Sequence, residues 1–386
     1  MKIIVLAPVH RYDDIRVFRK EAASLAAAGH EVVLFARTPD GKPRTENGVT
    51  VIPVNYRSRW QRFAQLPRLA ATAYRGNADV YHLHNPDTLP LAAWLWFQGC
   101  CVIYDTHEDF REEILLRRWL PKFIRRPAAV AIAAAESIAG KILAGVIVTQ
   151  EQLLSRIPEA VVIGNPPIVD VALARAALVA RANMPATAEV TLGYLGGISE
   201  DRGLFRMLDL LGAMNEVRAT RLRLIGYPVN DDALSRAKER PEWQWVDYRG
   251  ELPQSEAHRQ LIGVDAGLVL FQDVASHRHI DPNKIYEYMM LGIPFVATNF
   301  DDWRHRVTTN SAGPAGIFVD SNECPGEAAR MVLDLVTSRE RSLEASEAGV
   351  DYVVSEYSWQ AAGAPMLFAL YDRVQDAIRN TALRRP

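Results

Sequence analysis

The chain has 386 residues, is 49% hydrophobic and 23% charged, and carries a formal net charge of -2. That length exceeds one ordinary core and points to two domains. The near-neutral balance excludes a polyelectrolyte binder, so nucleic acid is not an expected partner. The three cysteines, Cys100, Cys101 and Cys324, are odd in number with two adjacent, which speaks against a disulfide framework and for a reducing compartment.

The opening MKIIVLAPVH is too short for a secretory signal and lacks a small-residue cleavage site, so it reads as a buried first strand. A helix follows in DIRVFRKEAASLAAAGH. Its residues Val17, Phe18, Ala22, Leu25 and Ala26 recur at helical spacing, and Gly29 closes it. EVVLFAR completes a β-α-β unit. The runs VTVIPV, DVYHLH, CVIYDTH, GVIVTQ and VVIGN come next. Continuous apolar runs of this length suit parallel strands covered on both faces. The Ala-rich stretch 128–144 is broken by Glu136, Ser137 and Lys141 and does not read as a membrane span.

At GNPPIVD (164–170) two prolines interrupt the pattern and mark a linker. An Ala/Arg helix follows. Alternation restarts with VTLGYLGG, LRLIGYP, WQWVDYRG, AGLVLFQD, IPFVATN and AGIFVD, and MLFALYDRVQDAIRN ends the chain as an amphipathic helix. The expected architecture is α/β: two Rossmann-like, doubly wound domains facing each other across a cleft. The domain boundaries are 1–165, 166–360 and a terminal helix over 361–386.

Ligands of open parallel sheets bind beyond the carboxyl ends of the strands. In YLGGISEDRG, Gly196 and Gly197 let a ligand approach the backbone, a helix starting near Asp201 offers its positive end to an anion, and Arg202 adds a phosphate-matching fork. An ordinary glycine turn with a solvated arginine is the competing reading. In DPNKIYEYMMLGIPFVATNF, Asp281 and Pro282 suit a helix start. Lys284 then stands at the positive end of that helix, where a bound anion would account for it. Glu287 lies one turn on, and the apolar run after it buries the helix, so a carboxylate there needs strong hydrogen-bond partners such as sugar hydroxyls. A plain surface Lys–Glu pair remains the alternative.

In the first half, polar residues crowd three strand ends: His10, Asp14 and Arg16; His84, Asn85 and Asp87; His107 and Glu108. Each histidine alone could be a satisfied core residue; together they suggest one cleft. No H-E-x-x-H, C-x-x-C or G-x-S-x-G spacing occurs, so no metal site and no hydrolase elbow is expected. Two basic segments interleave aromatics with cations: Arg59, Trp60, Arg62 and Phe63 in the first, Arg118, Trp119, Lys122 and Phe123 in the second. They read either as contacts with anionic lipid or as solvated helix faces whose aromatics pack inward.

PNKIYEYMMLGIPFVATN resembles the donor-site motif of the GT-B glycosyltransferases known as family four, the retaining nucleotide-sugar transferases. The opening DDIRVFRKEAASLAAAGHEVVLFAR, HLHNPDTL and YDTHE are similar to segments of its members. The resemblance spans nearly the whole chain and implies site roles. Glu287 would hold the ribose, Lys284 and Arg202 the diphosphate, with Ile285 beside Lys284. Gly196 and Gly197 would make room, and Glu251 and Leu252 would read the base. His107 would stand near the transferred sugar and act with Glu287 in catalysis.

The sequence also departs from the family. His279 occupies the place of a first acid, Gly197 stands for an arginine, Arg202 for a lysine, and HRYDD replaces a Gly-Gly loop. The implied activity is retaining transfer of a sugar from a nucleoside diphosphate (UDP or GDP) to a glycan or lipid-linked acceptor in envelope polysaccharide assembly. No cofactor is implied, and the setting would be cytoplasmic, peripheral on the inner face of the plasma membrane. A catalytically degenerate nucleotide-sugar binder, supported by His279, and a GT-B sugar-nucleotide epimerase stay open. VHRYDDIR lacks the glycine fingerprint of a nicotinamide dehydrogenase.

Overall fold

Continuous apolar runs become the strands of two parallel sheets. The structure is a computed structural model that describes residues 1–116, 120–185, 188–229, 231–274, 277–278, 283–308 and 313–383. Its contacts divide the chain into two compact units, Met1–Asn165 with Ala362–Pro386, and Pro166–Ala361.

The strands of the first unit are β1 (Lys2–Arg11), β2 (Glu31–Arg37), β3 (Arg44–Glu46), β4 (Val49–Pro53), β5 (Val80–His84), β6 (Val102–Thr106), β7 (Gly145–Val148) and β8 (Val161–Val162). They pair in the order β3-β4-β2-β1-β5-β6-β7-β8, all parallel except the β3–β4 hairpin. A π-helical segment, Ile15–Ala22, leads into α1 (Ala23–Ala27). It is capped by Asp14, whose Oδ1 accepts from the amides of Arg16 and Val17 at 2.9 Å. The remaining helices are α2 (Arg59–Arg75), capped by Ser58, α3 (Leu89–Phe97), α4 (Phe110–Leu116) and α5 (Lys122–Ile142).

The second unit carries β9 (Val190–Leu195), β10 (Thr220–Ile225), β11 (Val246–Gly250), β12 (Ala266–Val269), β13 (Phe295–Thr298) and β14 (Gly316–Val319), in the parallel order β11-β10-β9-β12-β13-β14. Around them lie α6 (Val171–Ala182), α7 (Leu204–Asn215), α8 (Asp231–Lys238), α9 (Gln254–Leu261), α10 (Asn283–Met290), α11 (Asp301–Thr308), α12 (Pro325–Thr337) and α13 (Arg339–Ser355). WQWVDYRG is a strand only from Val246, because Pro241–Trp245 winds into a 3-10 turn. The last helix, α14 (Ala364–Leu383), belongs to the first unit. Its Leu370 packs against β7 where Gly145 has no side chain; a Cβ there would stand 2.9 Å from Leu370 Cδ1.

Each unit has its own core. Ile4, Leu6, Tyr81 and Leu83 are buried between the helices of the first. Leu192, Leu208, Leu224, Leu268, Tyr288 and Val296 are buried in the second. With side chains shielded on both faces, alternation of polar and apolar residues has no role, which is why the strands read as unbroken apolar runs.

Candidate functional site

In the second unit, three glycines join the strand ends. Gly196 follows β9 with φ +144°, Gly226 follows β10 with φ +149°, and Gly250 ends β11 with φ +68°. The Gly226 amide donates to the Gly250 carbonyl at 2.8 Å, and the Gly196 amide to the Ile225 carbonyl at 2.9 Å. A Cβ on Gly226 would stand 1.7 Å from the Gly196 carbonyl oxygen. The two loops therefore cross at backbone contact, which only glycine allows. The Tyr194 hydroxyl donates to the Gly197 carbonyl at 2.7 Å and fixes the next residue.

Helix α10 brings the charges. Tyr288 anchors it: its hydroxyl accepts from the Leu195 amide at 3.1 Å and donates to the Leu268 carbonyl at 3.3 Å. Its ring fills the space over Gly267. Ile285, Met289 and Met290 bury the same helix. Lys284 and Glu287 face outward, with Nζ 2.9 Å from Oε2 and side chains 27% and 18% exposed. The Lys284 stem runs along Gly196, where a Cβ would meet Lys284 Cε at 3.1 Å. The Arg202 guanidinium lies on Gly197, where a Cβ would meet Nη1 at 2.9 Å. The structure thus gathers Gly196, Gly197, Arg202, Lys284 and Glu287 at one strand edge. His258 of α9 is buried nearby with Nε2 unpartnered, and burial lowers its pKa while Glu287 and Lys284 act on it in opposite directions.

Glu251 is exposed just beyond β11, and Leu252 packs on the core rim. The Ile285 side chain is fully buried, so only its backbone could serve a ligand. His279, Asp281 and Pro282 lie outside the described residues.

The first unit assembles a network beneath its strand ends. Asn85 Nδ2 stands 2.7 Å from His10 Nε2, His10 Nδ1 3.1 Å from Asp14 Oδ2, and His84 Nδ1 3.0 Å from His107 Nε2. Burial works to raise the Asp14 carboxyl, but the hydrogen bond and charge of His10 and the backbone amide of Val17 hold it at about 2. Burial pushes His107 down to about 3, against the pull of Asp105, so its ring is neutral at pH 7. His107 is the most accessible ring of the His84–His107 pair, with 14% of its side chain exposed against none for His84.

Three further expected acceptor residues have settings of their own. Arg16 is buried: it contacts Glu21 at 3.0 Å and Asp105 at 3.1 Å, and donates to the carbonyls of Ile163 and Gly164. Its work is to bind the strand ends together from inside. Asp87 pairs with Arg62 at 3.4 Å. The Glu108 side chain is exposed. Glu21, His82, Asp105 and Tyr371 join the network without having been expected. Polar letters inside otherwise apolar runs, as in VYHLH and CVIYDTH, were the available signal.

Of the two basic aromatic segments, α2 and the start of α5 are described. Trp60 is 84% and Phe123 80% exposed, so these rings do not pack inward. Phe63 is also exposed, as are Arg59 and Lys122. Arg62, held by Asp87, is not. Helix α3 packs against α2 and α5 and adds exposed Phe97 and Trp96. Arg118 and Trp119 lie outside the described residues. Among the described residues no helix is long and apolar enough to cross a membrane.

Residues 16–157 match the family described as Glycosyltransferase Family 4. Sucrose-phosphate synthase from Thermosynechococcus elongatus superposes with a TM-score of 0.68 at 18% identity, over 98% of this chain and 100% of that one. Anabaena HepE in complex with UDP-glucose gives 0.64 at 13%, over 96% and 100%. Trehalose-6-phosphate synthase, from a study of enzymatic glycosyl transfer with retention, gives 0.66 at 12%, over 97% and 99%. Among curated proteins none matches the sequence. At these identities the structural likenesses establish the fold: two parallel-sheet units of the GT-B type.

Proposed function

From a chain that carries a Glycosyltransferase Family 4 segment over residues 16–157 in a GT-B fold, we infer a retaining transferase that moves a sugar from a nucleoside diphosphate to a hydroxyl of a glycan or lipid-linked acceptor in cell-envelope polysaccharide assembly. The observation that carries this reading is the packing of Lys284 on Gly196 and of Arg202 on Gly197, with Glu287 beside the lysine. Two cations over a pair of side-chain-free residues fit a diphosphate, and a carboxylate one helical turn away fits a ribose. The UDP-glucose held by HepE supports a UDP-sugar as donor. The retention studied in trehalose-6-phosphate synthase supports the same stereochemistry here.

In this mechanism the sugar–phosphate bond breaks as negative charge builds on the β-phosphate. Lys284, Arg202 and the amino end of α10 stabilise that charge. The acceptor proton passes to the departing phosphate on the same face. Neutral His107 orients the sugar or acceptor and does not serve as the base. The second unit thus holds the donor and the first the acceptor.

Thermal unfolding with UDP, GDP and their sugars tests the donor. A ligand at 100 times its Kd adds about 2.7 kcal/mol of stability, so one nucleotide sugar raises Tm clearly above the rest. Product anomer analysis by proton NMR then reads retention. No shift with any nucleotide, or hydrolysis without transfer to any acceptor, defeats the proposal.

The exposed rings of α2, α3 and α5 among arginines and lysines suit a peripheral position on anionic lipid. Each basic residue near such a surface contributes about 1 kcal/mol. Co-sedimentation with phosphatidylglycerol vesicles at low salt is expected for the native chain and is lost in Trp60→Ser/Phe123→Ser. A native chain that stays in the supernatant removes this part.

A further inference from the structure

The network under the first unit's strand ends contains a hole in its hydrogen bonding. Glu21, His82, His84 and Asp105 are each at most 2% exposed. They come from the helical segment after β1, from β5 and from β6, and each offers one ligand atom within 4.8 Å of the others. Glu21 Oε2 and the Nε2 atoms of His82 and His84 have no hydrogen-bond partner, whereas Glu21 Oε1 is paired with Arg16. Native interiors satisfy such groups.

The other ring nitrogens are occupied. His82 Nδ1 is 3.0 Å from the Tyr371 hydroxyl, and His84 Nδ1 is 3.0 Å from His107 Nε2. In the tautomer with protons on those Nδ1 atoms, both Nε2 lone pairs face one Glu21 oxygen. Glu21 Oε2 lies 3.9 Å from His82 Nε2 and 3.7 Å from His84 Nε2. These separations are too long for hydrogen bonds. In that tautomer three polar atoms converge with no hydrogen bond among them, while burial and the neighbouring Asp105 raise the Glu21 carboxyl well above its ordinary range. Arg16 does not fill the gap, because it sits on the opposite oxygen, Oε1, at 3.0 Å and on Asp105 at 3.1 Å.

We propose that Glu21, His82 and His84, with Asp105 beside them, bind one structural zinc ion. Two imidazoles and a carboxylate are a zinc donor set. The Glu21–histidine separations of 3.9 and 3.7 Å exceed the ~3.3 Å edge of a tetrahedral site with Zn–N of about 2.0–2.1 Å, and the four ligand atoms lie within 4.8 Å of one another, so binding would draw the side chains together by rotation. Tyr371 and His107 stand at the outer nitrogens, as hydrogen-bonding partners of metal-bound histidines do. H-E-x-x-H spacing is absent because the ligands come from separate strands rather than one helix. The ion would tie β5 to the helical segment after β1, and through His84 it would fix which nitrogen of His107 carries the proton.

Metal analysis of the full chain, produced without a histidine tag in zinc-supplemented medium, tests this. About one zinc per chain is expected, falling below a tenth in Glu21→Gln. Chelation by phenanthroline should lower the Tm of the native chain, and added zinc should restore it. Cobalt in its place should give intense tetrahedral bands in the visible spectrum, a readout that needs no variant. A native chain with less than a tenth of a zinc before and after incubation with the ion, and a Tm indifferent to chelator, overturns the proposal. So does equal zinc in the native chain and a folded Glu21→Gln. Neither result touches the donor site, whose thermal shifts are read separately.

Discussion

Lys284→Ala lowers the turnover of a nucleoside-diphosphate sugar by about 10²–10³-fold, the usual cost of removing one group aimed at developing charge. The reason lies in where this lysine stands. A cation in the first turn of α10 opposes the helix dipole, and one neighbouring carboxylate, Glu287 at 2.9 Å, offsets that in the free protein. A phosphate arriving over Gly196 meets the lysine and the helix amides together. Because the charge grows as the bond breaks, the loss falls chiefly on kcat. Glu287→Gln acts differently. It keeps the shape and loses the charge-assisted bonds to ribose hydroxyls, each about 1.5–3 kcal/mol, so the donor KM rises by about tenfold or more. Steady-state kinetics at saturating acceptor separate the two. Near-native kcat in Lys284→Ala together with near-native KM in Glu287→Gln would move the donor site away from α10.

Gly226→Ala is expected to be the most damaging single methyl in the second unit. Its Cβ would stand 1.7 Å from the Gly196 carbonyl oxygen and 3.2 Å from the Gly196 amide nitrogen, on a residue with φ +149°. No side chain can swing aside, because the obstacle is backbone. Overpacking and backbone strain each contribute about 1–3 kcal/mol, so a destabilisation of roughly 2–5 kcal/mol is expected in urea unfolding. Relief by parting the loops would displace Gly196 from Lys284, so the nucleotide-sugar thermal shift should vanish even where the fold survives. Gly326→Ala is the control: nothing lies within 4 Å of its added Cβ and its φ is ordinary. It should leave stability unchanged or raise it by about 0.4–1 kcal/mol.

Strands buried on both faces declare themselves, so β1, β2, β5, β6, β9, β10, β12 and β13 were legible as apolar runs. The hairpin strand β3 was not, since RTE at a sheet edge carries no apolar signal. The proximity of Gly196, Gly197, Arg202, Lys284 and Glu287 was legible because these residues lie next to strand ends and helix starts. Adjacency does not show side-chain direction: Ile285 shares the first turn with Lys284, but its side chain is buried in the core. The buried network was largely hidden. Glu21, His82 and Asp105 sit inside elements whose neighbours are apolar, and their partners come from distant sequence. Arg16 reads as a surface cation until Glu21, Asp105 and two carbonyls are seen around it.

The place of α14 has a consequence for synthesis. Leu367, Leu370, Tyr371 and Val374 are buried in the first unit, and the Tyr371 hydroxyl holds His82. A chain leaving the ribosome therefore owns every strand of its first sheet long before it owns the helix that seals it. The amino-terminal half must wait, incomplete, while the later half finishes first. A stop codon just ahead of Ala364 would open the older half of the protein, not the younger.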